Sequence, residues 1–105
     1  MDIEKGTIKA VASVMQIVAN ENRLRILVAL QERPKTWTEL MFELKMNPKT
    51  LEHHLVFLRK NGLVGENKPH GFRLTEAGQT FMRMSVQEII HTARKAEEIV
   101  RRHNR

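Results

Sequence analysis

Cysteine and tyrosine are absent from this 105-residue chain, and aromatic residues of any kind make up 5% of it. Without cysteine there is no disulfide framework and no thiolate metal site. No run of about 18 apolar residues occurs, so no membrane-spanning helix is expected. The opening stretch, MDIEKGTIKAVASVMQIVAN, lacks the charged start, long apolar block and small-residue cleavage site of a signal peptide. An intracellular, cytoplasmic location is the expectation. Also missing are a Gly-rich phosphate loop, a nucleophilic Ser or Cys context and a cluster of carboxylates, so the chain does not read as an enzyme. Glu52-His53-His54 has the residue types of a catalytic group, but neighbours on a helix point about 100° apart and do not converge on one atom. Glu88 and His91 stand at ligand-like i,i+3 spacing near the C-terminal end, with His103 far along; one such pair does not build a metal site. No metal and no cofactor are expected.

What is present is an ordinary globular composition, 41% hydrophobic, in a length that suits one modest core. The net charge is +6, and its distribution is uneven. Residues 1–44 carry six basic and six acidic side chains, whereas residues 45–73 carry six basic ones against only Glu52 and Glu66. That local excess coincides with the most informative stretch of the chain, TWTELMFELKMNPKTLEHHLVFLRKNG, residues 36–62. Thr36 followed by Glu39 is a capping box that opens a helix running from Trp37 to about Lys45. Asn47 then caps a second helix, with Pro48 at the first turn where its missing N–H costs nothing. Gly62 ends it near Asn61 by taking the left-handed turn. Two short helices joined by a tight turn are the grammar of a helix-turn-helix, whose second helix enters the DNA major groove.

Around this unit the chain divides into residues 1–19, an N-terminal core and dimerisation helix; 20–75, a winged helix-turn-helix DNA-binding domain; and 76–105, a coiled-coil-like dimerisation helix. The fold class is mainly α with a small β-hairpin wing. Asn20 caps a helix from Glu21 to about Gln31 that buries Leu24, Leu27 and Val28 with Ile26 and Leu30 flanking, and Pro34 forbids its continuation. Leu63–Asn67 and Phe72–Leu74 read as the strands of the wing, turned by Lys68-Pro69-His70-Gly71. Thr75 caps a last helix from Glu76 to around His103. Its apolar positions Met82, Val86, Ile89, Ala93, Ala96 and Val100 follow a heptad seam. A helix so long outruns a small core and asks for the same helix of a second copy, with Ile8, Val11 and Met15 of the first helix alongside.

On a helical wheel Leu51, Leu55 and Leu58 face the core, with His54 beside them, while Lys49, His53, Val56 and Lys60 lie opposite. Residues at the start of a recognition helix reach base edges; those further along and on the wing meet phosphates. Lys49, Thr50 and His53 are therefore candidates for the groove, and Lys60, Lys68 and Arg73 for phosphates or the minor groove. Glu52 repels phosphates unless it accepts from a cytosine amino group or pairs with a cation such as Arg59; the ion pair is the expected state. Trp37 is expected in the core. Double-stranded DNA and a second copy are the expected partners; no small-molecule effector is named by any of these residues.

These stretches resemble a known family. NENRLRILVAL is similar to the DPTRLRIL helix of the ArsR-type winged-helix repressors, and TELMFELKMNPKTLEHHLVFLRKNGLV to their SELAEALGLSQSTVSRHLKVLREAGLV segment. LTEAG, after the wing, is closer to the MarR-type regulators, where it opens a dimerising helix. The resemblance covers roughly residues 19–80. It implies a homodimeric, nucleoid-associated transcription regulator reading a two-fold symmetric operator, with the base-reading positions falling on Lys49, Thr50, Glu52 and His53. The family's metal sensors use cysteines before the recognition helix, which this chain lacks, or Asp/His pairs on the last helix, where only Glu88 and His91 have ligand-like spacing; its frequent Ser is replaced here by Glu52. The alternative is an architectural, chromatin-like protein that coats duplex without sequence preference.

Overall fold

Helix-start chemistry sets the element boundaries. The computed structural model describes residues 4–83 and 87–104, with Val18 described by its backbone alone. After α1 (Lys5–Val18), the Asn20 side chain accepts from the Arg23 amide at 3.1 Å and opens α2 (Glu21–Glu32). The Thr36–Glu39 capping box is complete, each side chain accepting from the other residue's amide at 3.1 Å, and it opens α3 (Trp37–Leu44). Asn47 accepts from the Lys49 amide at 2.8 Å and, with Pro48, starts α4 (Pro48–Lys60). Gly62 follows at φ +76°, the left-handed turn expected of it. Thr75 accepts from the Gly78 amide at 3.0 Å to open α5 (Glu76–Phe81). The expected single last helix is described in two lengths, α5 and α6 (Gln87–His103), with a wider, π-type turn at Met82 and Arg83.

Three strands make one antiparallel sheet in the order β1-β3-β2: β1 (Lys35–Thr36), β2 (Val64–Asn67) and β3 (Gly71–Leu74). Val64 pairs with Leu74 and Asn67 with Gly71 across the hairpin, while Lys35 pairs with Phe72 on the other side of β3. The wing is thus anchored along the segment that leads into α3, a strand too short for periodicity to announce.

The core gathers one face from each element. Ile26, Leu27 and Leu30 of α2 meet Leu40 and Leu44 of α3, Leu51, Leu55 and Leu58 of α4, and Val64 and Leu74 of the sheet. In α2 the buried set differs from the expected one: Ile26, Leu27, Ala29 and Leu30 are inside, Leu24 is half-buried and Val28 is exposed. Val28 faces a cleft shared with α1 and α6 instead. Met82, expected on an intermolecular seam, is fully buried in the chain's own core and is withdrawn from that seam. Val86 lies outside the described residues.

Two features lock the frame, one ionic and one steric. Lys35, 2% exposed, puts its ammonium 2.7 and 2.8 Å from the two Glu43 carboxylate oxygens and 3.7 Å from Glu32, tying β1 to α3 and to the end of α2. Gly78 explains the glycine of LTEAG: a Cβ there would stand 2.2 Å from the Leu63 carbonyl oxygen. Only glycine lets α5 lie so close to the foot of the wing.

Candidate nucleic-acid interface

The recognition helix is built to turn one face outward. Leu51, His54, Leu55 and Leu58 are buried, which leaves Lys49, Glu52, His53, Val56 and Lys60 exposed and Thr50 half-buried. Lys49, His53, Val56 and Lys60 follow one another at i,i+4, i,i+3 and i,i+4 spacing, so they form one outward stripe of two amines, an imidazole and an isopropyl group. The stripe spans most of α4, about 16 Å of helix at 1.5 Å per residue. That is enough to run along a major groove about 12 Å wide.

Contacts from α2 and from the turn after α3 brace this helix. Lys45, at φ +50°, ends α3 in the left-handed conformation, and the Met46 amide donates back to the Met41 carbonyl at 3.2 Å. Arg25 donates from α2 to the Leu44 carbonyl in the same turn, satisfying a helix end that α3 leaves open. Arg23 lies with its guanidinium 4.2 Å from the centre of the Phe57 ring, a cation over an aromatic face. The two arginines of NRLRIL therefore brace the helix-turn-helix from behind. Their partners are 19 and 34 positions away, so no local pattern announces them. His54 lies edge-on to His53 with ring centres 5.2 Å apart, and its buried Nδ1 has no hydrogen-bond partner among the described residues. Burial, then the neighbouring His53 and Arg23, lowers the His54 pKa below its ordinary value.

On the wing the expected residues separate. Lys68 is exposed in the turn between β2 and β3. Arg59 pairs with Glu66 at 2.7 Å, joining the end of α4 to β2. It is therefore not the partner expected for Glu52, and among the described residues Glu52 makes no ion pair. Arg73 pairs across the sheet with Gly65 and its guanidinium lies over that glycine. Strand alternation puts it on the face opposite Glu66 and Phe72, away from the side that meets α4. There it lines a cleft with Arg33 and Arg83 rather than joining the α4 stripe.

A second surface is apolar. Ile8, Val11 and Met15 of α1 and Ile89 and Val100 of α6 are each more than half exposed. Between them, α1, α2 and α6 enclose a cleft of about 710 Å³ lined almost wholly by aliphatic and aromatic carbon. Ala93, Ala96 and Val100 continue that side along α6.

Among the described residues no group of three His, Asp or Glu side chains is placed to hold a metal, and no helix is long and apolar enough to cross a membrane. Comparison with known proteins matches the bacterial regulatory protein, arsR family, over residues 20–66. The chain is 34% identical over 88 residues to the transcriptional activator HlyU of Vibrio cholerae, covering 84% of this chain and 74% of that protein. A solved structure of HlyU from the same species superposes with a TM-score of 0.68 at 30% identity, over 83% of this chain and 97% of that one. A MarR-family regulator from Enterococcus faecalis superposes at 0.80, with 21% identity over 97% of this chain and 96% of that one, a likeness of fold. The chain thus shares the winged-helix fold of these regulators, and it belongs to the ArsR family of winged-helix, DNA-binding transcription regulators.

Proposed function

We propose that two copies of the chain read a two-fold symmetric operator in duplex DNA, each inserting the first half of α4 into the major groove. The observation that carries this reading is the outward stripe Lys49, His53, Val56 and Lys60, opposite the buried Leu51, Leu55 and Leu58. Lys49 reaches guanine acceptors, Thr50 a base edge or a thymine methyl, and His53 a base or a phosphate. Glu52, without a cation partner among the described residues, suits a cytosine amino group, which gives an acid in the groove helix a use that a non-specific coat would not supply. Lys60 and Lys68 contact phosphates. The second copy covers the apolar faces of α1 and α6, whose exposure in one chain is what supports dimerisation.

The reading is tested by duplex binding at two salt concentrations, comparing the gene's own upstream region with shuffled DNA of equal length. A preference of about a hundredfold or more is expected, about 3 kcal/mol, together with half-sites about one helical turn, 34 Å, apart. With about eight phosphates contacted per dimer, log affinity should fall with log salt at a slope of roughly −7. Equal, salt-sensitive binding to both duplexes would replace this reading with an architectural role, and no binding to either would end it.

A further inference from the structure

Three arginines that the α4 stripe does not use converge on one cleft of about 420 Å³ between the end of α2, β3 and α5. Arg33 at the end of α2, Arg73 on β3 and Arg83 beyond α5 line it together with Gln31 and Gln79. One carboxylate lines the cleft, Glu32, and it stands 3.7 Å from the Lys35 ammonium. Arg33 is occupied by Glu39 and by the Pro34 carbonyl. Arg73 reaches only the Leu74 carbonyl, at a long 3.4 Å, and among the described residues neither Arg73 nor Arg83 has a carboxylate partner. The Gln31 side-chain oxygen accepts from Gln87 at 3.1 Å, which leaves its NH2 group to donate elsewhere.

Like charges gathered around one recess repel each other unless an anion sits among them, and guanidinium forks are shaped for planar or tetrahedral oxyanions. The volume falls within the range of small-molecule sites. We infer that this cleft binds a phosphate-type oxyanion, held by Arg73 and Arg83 with Gln31 and Gln79 as neutral donors. The cleft is bounded by a wing strand on one side and by the helix leading toward α6 on the other. Its occupant therefore joins the end of α2, the wing strand β3 and the exit of α5. The phosphate comes from one of two sources, a free phosphorylated small molecule or the DNA backbone beside the wing.

The test is a titration of the full chain with inorganic phosphate at constant ionic strength, followed through the arginine side-chain N–H signals. Saturating shifts are expected at Arg73, Arg83 and Arg33. The double variant Arg73→Gln/Arg83→Gln should weaken the apparent affinity about tenfold or more, the loss of about 1.4 kcal/mol. Arg83→Gln alone, at an exposed position, provides a second variant whose dispersed amide spectrum verifies folding. Shifts that never saturate, that are equally large at Arg94 and Arg101, or that survive in the double variant would overturn the site. Adding a short duplex to the phosphate-saturated protein then separates the two sources. Release of phosphate assigns the site to the DNA backbone, and simultaneous binding assigns it to a free ligand.

Discussion

Residues 20–82 and the helices α1 and α6 differ in where their apolar surface goes. In the helix-turn-helix and wing, the leucines that set the periodicity are buried within one chain: Leu27, Leu40, Leu51, Leu55 and Leu58 have at most 1% exposure. In α6 none of the described side chains is buried, although its apolar residues are as regularly spaced. The same 3-4 pattern thus has two endings, a closed core and an open face. Periodicity states that a face will be covered; chain connectivity and length decide by what. The first unit is closed on itself, and the second leaves its regularly spaced apolar side chains exposed.

The strongest way to break this contrast is to make equal truncations on both sides of it. Leu55→Ala should lower the unfolding free energy by about 3 kcal/mol in denaturant titration, the cost of a cavity at a fully buried leucine. Gly78→Ala should cost about as much, because its methyl would collide with the Leu63 carbonyl and lift α5 off the wing. Neither effect should depend on protein concentration. A concentration-dependent destabilisation by Leu55→Ala would mean that the reader is not closed on itself.

In α6 the corresponding change should be read in assembly. Ile89→Ala with Val100→Ala should weaken the dimer by about 2 kcal/mol, roughly thirtyfold in the dissociation constant, measured by sedimentation across a dilution series. A wild-type chain that sediments as a monomer at every concentration would dissolve the contrast, and the apolar cleft of α1, α2 and α6 would need a different occupant.

How much of the molecule is legible in its sequence follows the same line. The caps are readable because their chemistry is local: Thr36 and Glu39 are three residues apart, and Asn47 lies two from the amide it accepts. The outward stripe of α4 is readable because burial of three leucines determines what faces away. Features set by distant partners are not. Arg25 reaches Leu44, and Lys35 reaches Glu43 from a strand of two residues. Met82 obeys the heptad spacing read along the expected last helix yet is claimed by the core, because a 3.5-residue period does not name the surface that fills it. Arg73 reads as a DNA ligand from its place on the wing, and only the strand register shows that it shares a cleft with Arg33 and Arg83 instead of joining the α4 stripe.

Within the reader, base reading and phosphate binding should separate in kind. Lys49→Ala with His53→Ala should lower discrimination between operator and shuffled duplex, by about 1–3 kcal/mol for each base no longer read. Lys60→Ala should instead weaken both duplexes alike and make the log–log salt slope shallower by about two, one phosphate from each protomer. A Lys49→Ala/His53→Ala protein with unchanged discrimination would move the base-reading residues off the start of α4.

The smallest expected effect lies at the seam between reader and core, at His54. Burial, His53 and Arg23 all disfavour its protonated form, so its folded-state pKa lies below the ordinary value near 6.5. The unfolded chain therefore binds a proton at a higher pH than the native one does. Above about pH 6.5 both forms are neutral and the residue adds no pH dependence. As pH falls below that value, the unfolded state takes up protons that the native state refuses, so the unfolding free energy declines until the lowered native pKa is passed. Glu39, held to about 2 first by its hydrogen bond from Arg33, adds stability that fades only as pH falls from the ordinary carboxylate range near 4.5. The two windows open at different pH, the first below about 6.5 and the second below about 4.5. His54→Leu, which keeps the side chain buried without a titrating group, should flatten the stability profile just below about pH 6.5 while leaving the Glu39 decline in place. A profile unchanged by His54→Leu would mean that the imidazole is protonated as readily in the fold as outside it, and that the back of the recognition helix is wetter than its packing beside Leu51, Leu55 and Leu58 implies.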